Sequence, residues 1–219
     1  MCGRFALNTT EMELRAHFNA QNSFVFKPKY NLAPNQIVPV IIFNQFNLPE
    51  LVFMQWGFTP TWNKDPDAQK YINARIETVS EKPTFKQAFL QKRCLIPASG
   101  FYEWQLLNGR KQPFYVYLKN QALFGMAGIW AAPTEEGVFP TCAILTESSP
   151  EGSKMAAIHE RMPVIMSPSS YAAWLNPRAK VAEITEALLL KQMAIACFSV
   201  SLQVNSPKFD SPDCIRPLS

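Results

Sequence analysis

The sequence predicts an α+β fold, with one domain over residues 1–219 built on a mainly antiparallel β-sheet or barrel and helices packed outside it. The chain has 219 residues, which is enough to bury a substantial core. Its 18 prolines are scattered and divide it into short elements. Most of the strand-like segments follow one another without a helical segment between them, and such neighbours usually pair antiparallel.

The first predicted element is a helix from about Thr10 to Asn19. Thr10 and Glu13 have the spacing of a capping box, in which each side chain satisfies the other's backbone. Leu14 and Phe18 are four residues apart and therefore share one face of the helix.

Seven segments have the composition of β-strands. They are rich in Val, Ile, Phe and Tyr, and Asn, Pro and Gly separate them. The predicted strands are Ile37–Phe43, Leu51–Trp56, Phe114–Leu118, Leu123–Trp130, Thr141–Leu145, Pro163–Met166 and Ile195–Val200.

Three further helices are expected, at Thr84–Gln91, Pro168–Leu175 and Ala179–Lys191. Thr84 and Gln87 again have capping spacing. Ser167 would cap the second of these helices, with Pro168 in its first turn, where the missing N–H is harmless.

Composition limits the classes of function. The chain is 47% hydrophobic and 17% charged, without an unbroken apolar run of membrane-spanning length and without the apolar core of a signal peptide. We therefore expect a soluble, cytoplasmic protein that makes no membrane contact, and a monomer needs the fewest assumptions. Residues 1–120 carry 14 Lys and Arg against 8 Asp and Glu, which favours a polyanionic partner for this half.

The cysteines do not form a metal-binding pattern. Five of them occur without a Cys-x-x-Cys pair, and the chain has only two histidines, so we expect no metal and no cofactor. Cys94, Cys142 and Cys197 lie among apolar residues, which predicts buried, reduced thiols and a reducing compartment.

Cys2 follows the initiator methionine, and removal of Met1 would make it the first residue. A terminal cysteine carries an amine and a thiol on one residue. The amine can condense with an aldehyde to an imine, and the thiol can then close a thiazolidine ring. Both groups have ordinary pKa values of about 8, so reactive fractions of each exist at neutral pH.

Three other segments contain polar groups that a buried strand or turn does not need. Asn73, Arg75 and Glu77 alternate with apolar residues, which predicts three polar side chains on one face of a strand. A surface strand would give the same pattern.

Glu103 lies between aromatic residues in Gly100-Phe101-Tyr102-Glu103-Trp104, and partial desolvation there would raise its pKa toward the range useful for proton transfer. An exposed Glu at a strand end is the alternative. His159 precedes the strand predicted to begin at Pro163 and lies on a connection, where functional groups concentrate.

These segments together resemble the SOS response-associated peptidase (SRAP) family of abasic-site processing proteins. Six motifs occur in family order: Met1-Cys2-Gly3-Arg4-Phe5, Tyr30-Asn31-Leu32-Ala33-Pro34, Trp56-Gly57-Phe58-Thr59-Pro60, Ile72-Asn73-Ala74-Arg75-Ile76-Glu77-Thr78, Gly100-Phe101-Tyr102-Glu103-Trp104 and Ile158-His159-Glu160-Arg161-Met162-Pro163.

The resemblance implies that Cys2 forms a thiazolidine crosslink with the ring-opened aldehyde of an abasic site in single-stranded DNA, including a site at a 3' junction or fork. It also implies association with the nucleoid when the protein is bound to damaged DNA. It implies that Asn73, Glu103 and His159 complete the active site and that Glu103 assists slow self-reversal. Positions expected to hold the DNA are Arg4, Asn31, Pro34, Arg75, Thr146 and Arg161. Where relatives carry a Trp-Trp wedge, this chain has Trp62-Asn63.

Two other functions fit the same residues. One is a peptidase with Cys2 as an N-terminal nucleophile and Asn73 as an oxyanion donor. The other is a noncovalent single-strand binder that uses Trp56, Trp62 and Arg75 for stacking and charge.

Overall fold

The structure is a computed structural model that describes residues 2–63, 65, 69–133, 135–189 and 194–218. Its strands are β1 (Phe5–Leu7), β2 (Lys29–Leu32), β3 (Ile37–Phe43), β4 (Pro49–Trp56), β5 (Asn73–Arg75), β6 (Arg93–Ala98), β7 (Gly100–Leu107), β8 (Arg110–Leu118), β9 (Phe124–Ala131), β10 (Thr141–Ser148), β11 (Arg161–Pro163), β12 (Ile165–Met166) and β13 (Ile195–Ser199). The α-helices are α1 (Glu11–Phe18), α2 (Pro83–Gln91), α3 (Lys154–Ile158), α4 (Tyr171–Leu175) and α5 (Val181–Leu189), and 3-10 turns cover Pro168–Ser170, Leu202–Asn205 and Pro212–Ile215.

The larger sheet closes on itself. Its strands follow the order β11-β10-β4-β3-β6-β9-β12, and β9 also pairs with β10, so that β10, β4, β3, β6 and β9 form a ring. Most pairs are antiparallel, but β10 runs parallel to both β4 and β5. The predicted α+β fold with a mainly antiparallel sheet or barrel is confirmed.

The second sheet has the order β13-β8-β7-β1-β2 and packs one face against the barrel. Residues of β1 alternate between two apolar clusters: Phe5 and Leu7 belong to the main core, and Ala6 belongs to a smaller cluster with Tyr102 on the outer face. Strand periodicity thus decides which residues of β1 and β7 face the interior.

Helix α1 confirms the first prediction, including its ends. Thr10 is the N-cap, the capping box with Glu13 is present, and Leu14 and Phe18 are buried. Asn19 ends the helix in the left-handed conformation, which Asn tolerates better than most residues.

The later helices differ in detail from the prediction. The cap of α2 is Lys82 without a side-chain hydrogen bond, because Pro83 takes the first helical position, so the predicted Thr84 cap was wrong. The segment 168–175 is a 3-10 turn followed by α4, and Ser167 bonds to Ser169 rather than capping through its side chain. Helix α5 begins two residues later than predicted, and the predicted end at Lys191 lies outside the described residues.

All seven predicted strand regions form strands, with two corrections. The segment predicted as one strand from Pro163 starts at Arg161 and divides at Val164, because β11 pairs with β10 whereas β12 pairs with β9. Cys197, expected to be buried, is only half-buried on β13, whereas Cys94 and Cys142 are fully buried. Strands β1, β2, β6 and β7 were not among the predicted strands.

Arg93 ties two helices to the barrel. It is buried, and its guanidinium donates to the backbone carbonyls of Phe89, Leu90, Trp174 and Asn176, at the ends of α2 and α4. Carbonyls at helix ends carry partial negative charge, so they satisfy this cation without a carboxylate. Burial lowers the pKa of Arg93 to about 10, which still leaves it charged at neutral pH.

No helix within the described ranges is long and apolar enough to cross a bilayer.

Candidate active site

Strand β1 places Cys2 beside β7. Phe5 pairs with Phe101, and the Tyr102 N–H donates to the Arg4 carbonyl at 2.9 Å. Continuing this register brings Gly3 and Cys2 alongside residues 103 and 104. Cys2 is fully buried and shares the main core cluster with Phe5, so its side chain faces the interior between the two sheets.

Asn73 binds the backbone of Cys2. It lies on β5, opposite Ile144 of β10, and its Nδ2 donates to the Cys2 carbonyl oxygen at 2.8 Å. Its Oδ1 is buried and accepts no hydrogen bond from the residues that the structure describes. A buried amide oxygen in this position favours a site that receives a donor from outside the described chain.

Glu103 supplies the acid. Glu103 is only 2% exposed, and burial raises the pKa of its carboxyl to about 7, as predicted from the sequence. The predicted surroundings need one correction. Of the three neighbouring aromatics, Phe101 shares the core side of β7, whereas Tyr102 and Trp104 pack into the outer cluster because alternate residues of a strand face opposite ways.

The thiol of Cys2 and the carboxyl of Glu103 influence each other. Burial raises the pKa of the Cys2 thiol far above its ordinary value, and the negative charge of Glu103 raises it further. The thiol is therefore protonated at neutral pH and needs a base to become a nucleophile. Glu103 is the carboxylate whose charge affects the Cys2 thiol, and it is therefore the candidate base.

His159 ends α3, in the connection that leads into β11. Its Nδ1 lies 2.9 Å from the backbone nitrogen of Arg161 and 3.1 Å from the Arg161 carbonyl oxygen, and it accepts the N–H when the neutral imidazole carries its proton on Nε2. Burial lowers the pKa of the ring, which favours the neutral form at pH 7. The side chain of Gln105 on β7 donates to the Ala157 carbonyl at 2.8 Å and thus ties the helix of His159 to the strand of Glu103.

Arg161 is mostly covered and forms a two-pronged ion pair with Glu77. Its Nη1 and Nη2 lie 2.6 and 2.8 Å from the two carboxylate oxygens. Nη2 also donates to the carbonyl of the buried Thr146 at 2.7 Å, and Nη1 to Ser148 at 3.2 Å. The prediction that Glu77 continues the strand of Asn73 was wrong: β5 ends at Arg75, and Glu77 lies in the turn that follows.

Arg4 and Asn31 join the first strands to the end of the chain. Arg4 Nη1 donates to Asn31 Oδ1 at 2.8 Å and to the Val204 carbonyl at 2.6 Å. Asn31 is buried, and its Nδ2 donates to the carbonyls of Val204, Ser206 and Phe209. For Arg4, Asn31, Thr146 and Arg161 the DNA-contact role stays a prediction, and the structure places all four in internal networks.

Three expected contact residues lie nearer the solvent. Arg75 is exposed at the end of β5, and Pro34 is half-buried in the turn after β2. Trp62 is 64% exposed and lines a surface pocket together with Trp130 and Gln87. Each of these three side chains is therefore at least partly open to solvent.

Sequence reasoning missed the residues that hold this site together. Gln105, Ser148 and Ser149 had no distinguishing signal, since each is an ordinary polar residue in the printed sequence. Ser149 donates to the His159 carbonyl at 2.8 Å. Within the described part of the chain, no three His, Cys, Asp or Glu side chains come together as a metal site.

Comparison with known proteins gives a family and a fold. Residues 1–207 match the family model described as SOS response associated peptidase (SRAP). The chain is 38% identical to the abasic site processing protein YoaM of Bacillus subtilis, over 98% of this chain and 97% of that protein, and 39% identical to YoqW of the same organism, over 99% of each. A crystal structure of a protein from Bacteroides thetaiotaomicron superposes with a TM-score of 0.84 at 23% identity and covers 100% of both chains.

Proposed function

The chain belongs to the SOS response associated peptidase (SRAP) family, and from that premise we propose that it processes abasic sites in single-stranded DNA by covalent capture. Full-length relatives named abasic site processing proteins support the substrate class. The observation that carries the chemistry is the position of Cys2, one residue from the start of the chain, between the Asn73 amide and the buried Glu103 carboxyl.

The reaction begins when Met1 is removed and the Cys2 nitrogen becomes a free amine. This nitrogen adds to the aldehyde carbon of the opened deoxyribose, and the resulting carbinolamine loses water to give an imine. The Cys2 sulfur then adds to the same carbon and closes a five-membered ring, while its proton passes to the imine nitrogen. No oxidant or reductant is consumed, and water is the only product released.

Glu103 is suited to two of these proton transfers. With a pKa of about 7 it is close to half protonated at neutral pH, so it can protonate the departing hydroxyl and then, as a carboxylate, accept the thiol proton. The raised pKa of the Cys2 thiol makes that base necessary. The same proton can return to the ring nitrogen or sulfur, which gives slow self-reversal.

His159 serves an earlier step. A deoxyribose without a base rests mainly as a closed hemiacetal, and the Nε2–H of the neutral imidazole can donate to the ring oxygen as it leaves. Glu103 in its carboxylate form accepts the hydroxyl proton. The buried Asn73 Oδ1 then receives a hydrogen bond from the amine or carbinolamine.

DNA is held mainly through its backbone and by stacking. Arg75 is exposed at the end of β5 and pairs with a phosphate, while Trp62 offers an indole face to a neighbouring base. Such contacts carry little sequence information, so binding weakens with salt and varies little with sequence.

One experiment tests the proposal. Purified protein is mixed with single-stranded DNA that bears one abasic site and is run on a denaturing gel, and mass spectrometry confirms that Met1 has been removed. We expect a shifted band for the wild type and for the control Cys197→Ala, and none for Cys2→Ala. A shifted band in Cys2→Ala would place the covalent bond on another residue.

The same preparations test the two alternative functions. Cleavage of unstructured peptides that requires Cys2 but no DNA would instead indicate a peptidase. DNA binding that is equal in wild type and Cys2→Ala, with no covalent product in either, would leave only a noncovalent binder.

A further inference from the structure

The ion pair between Glu77 and Arg161 connects the two halves of the site. Glu77 lies two residues beyond the end of β5, which carries Asn73, and Arg161 begins β11, two residues after His159. Both strands pair with β10, where Arg75 lies opposite Thr146 and Arg161 lies opposite Ser148. The bidentate contact therefore links the segment after β5, which carries Asn73, to the start of β11, which follows His159.

The geometry of Arg161 leaves its two terminal nitrogens fully engaged. Nη1 donates to Glu77 and Ser148, and Nη2 donates to Glu77 and to both oxygens of Thr146. The side chain of Arg161 is only 10% exposed. A phosphate would have to displace the Glu77 carboxylate from a guanidinium that fits it in the bidentate manner.

The backbone of Arg161 contacts the imidazole of His159. Its nitrogen lies 2.9 Å from His159 Nδ1, and its carbonyl oxygen lies 3.1 Å from the same atom. Donation from the N–H to Nδ1 requires that the neutral ring carry its proton on Nε2. Ser149 and the backbone hydrogen bond from Ser149 to Glu160 hold the same connection from β10. Anchoring the guanidinium therefore fixes the N–H that orients the ring.

We propose that Glu77 is a positioning residue: by clamping the Arg161 guanidinium it holds the Arg161 N–H against His159 Nδ1 and keeps the proton of the imidazole on Nε2, facing the substrate. The inference rests on the proposed function for the role of His159, but the orientation of the ring belongs to the protein without DNA.

The first test is nitrogen NMR of the DNA-free protein. The chain has only two histidines, so the His17→Gln variant assigns the signals of His159. In the wild type we expect an unprotonated Nδ1 and a protonated Nε2. Glu77→Ala should show exchange between the two tautomers, Glu77→Gln should fall between them because its amide oxygen still accepts from Arg161, and the exposed neighbour Glu81→Gln should match the wild type.

The second test is the crosslinking rate constant at saturating abasic DNA, measured beside the affinity for undamaged single strands. Loss of ring orientation should lower the crosslinking rate constant of Glu77→Ala about tenfold or more, because small misplacements of a catalytic group slow a reaction strongly. The affinity of the variant for undamaged single strands should change less than about twofold. Glu77→Gln should recover part of the rate.

Two results would overturn the inference. One is an imidazole spectrum of Glu77→Ala identical to that of the wild type. The other is tighter, more salt-dependent DNA binding with an unchanged rate constant, which would mean that Glu77 merely competes with phosphate for Arg161. If the wild type gave no crosslink at all, the proposed function would fail, and the NMR result would still decide whether Glu77 orients His159.

Discussion

Release of captured DNA should depend on the protonation of Glu103. Reversal requires a proton on the thiazolidine before water can expel the protein, and Glu103 is the buried acid beside Cys2. Reversal is a better probe than capture, because capture also depends on the free Cys2 amine, whose fraction rises with pH and would mask the acid.

The magnitude follows from the pKa of about 7 that burial gives this carboxyl. The protonated fraction is then about nine-tenths at pH 6 and about one-tenth at pH 8, so the reversal rate should fall about tenfold across that interval. An exposed glutamate would be almost wholly ionised at both values. Glu103→Gln should release DNA at least about a hundredfold more slowly and without this pH dependence, since an amide supplies no proton.

The assay starts from purified crosslink. It is diluted into buffers from pH 6 to pH 8 with methoxyamine, which traps each aldehyde as it is released, and the remaining crosslink is followed on denaturing gels. Glu81→Gln, a change at an exposed acid, serves as the control. A wild-type reversal rate that stays level over this range, or a Glu103→Gln rate equal to that of the wild type, would refute the role of Glu103.

Four further outcomes are expected. Glu103 binds its proton more tightly in the folded state, so the unfolding free energy of the wild type falls as pH rises from the ordinary glutamate pKa to about 7. Chemical denaturation should therefore show Glu103→Gln to be more stable than the wild type by about 3 kcal/mol at pH 8 but not at pH 4. Arg75→Gln should reduce the slope of log affinity against log salt by about 0.7, measured by fluorescence anisotropy with undamaged single strands. Trp62→Ala should weaken the same binding by about 1–3 kcal/mol and leave the melting temperature unchanged, because its side chain packs little. Arg93→Met should lower the unfolding free energy by at least about 3 kcal/mol, because four backbone carbonyls lose their donor.

Local sequence patterns predicted the elements whose conformation does not depend on distant parts of the chain. Helix α1 was readable to within one residue at each end because the Thr10–Glu13 box and the pair of Leu14 and Phe18 are local signals. Strand β3 was predicted with its observed ends for the same reason. By contrast, Phe5–Leu7 is too short to show a period and becomes a strand only because β7 and β2 lie on either side of it.

The sequence motifs identified the residues of the candidate site but did not show which of them are in contact. The chemistry of Cys2 and Glu103 was visible as residue types, and the raised pKa of Glu103 was predicted from its aromatic neighbours in the sequence, although two of them face the other side of β7. Which of those neighbours touch it depends on the alternation along β7, and the partner of Arg161 depends on two strands meeting at β10. Long-range pairings of this kind leave no mark on a single sequence, so the Glu77–Arg161 contact could not be foreseen.

The bonds from Arg4 and Asn31 to residues 204–209 affect the order in which the protein matures. Arg4 and Val204 are 200 residues apart, so about 10–40 s of synthesis separates them. Until Val204 has been made, β1 can pair with β2 and β7 but lacks the anchor that residues 204–209 provide. We expect Met1 to be removed in that interval, because Cys2 is wholly buried once the fold is complete.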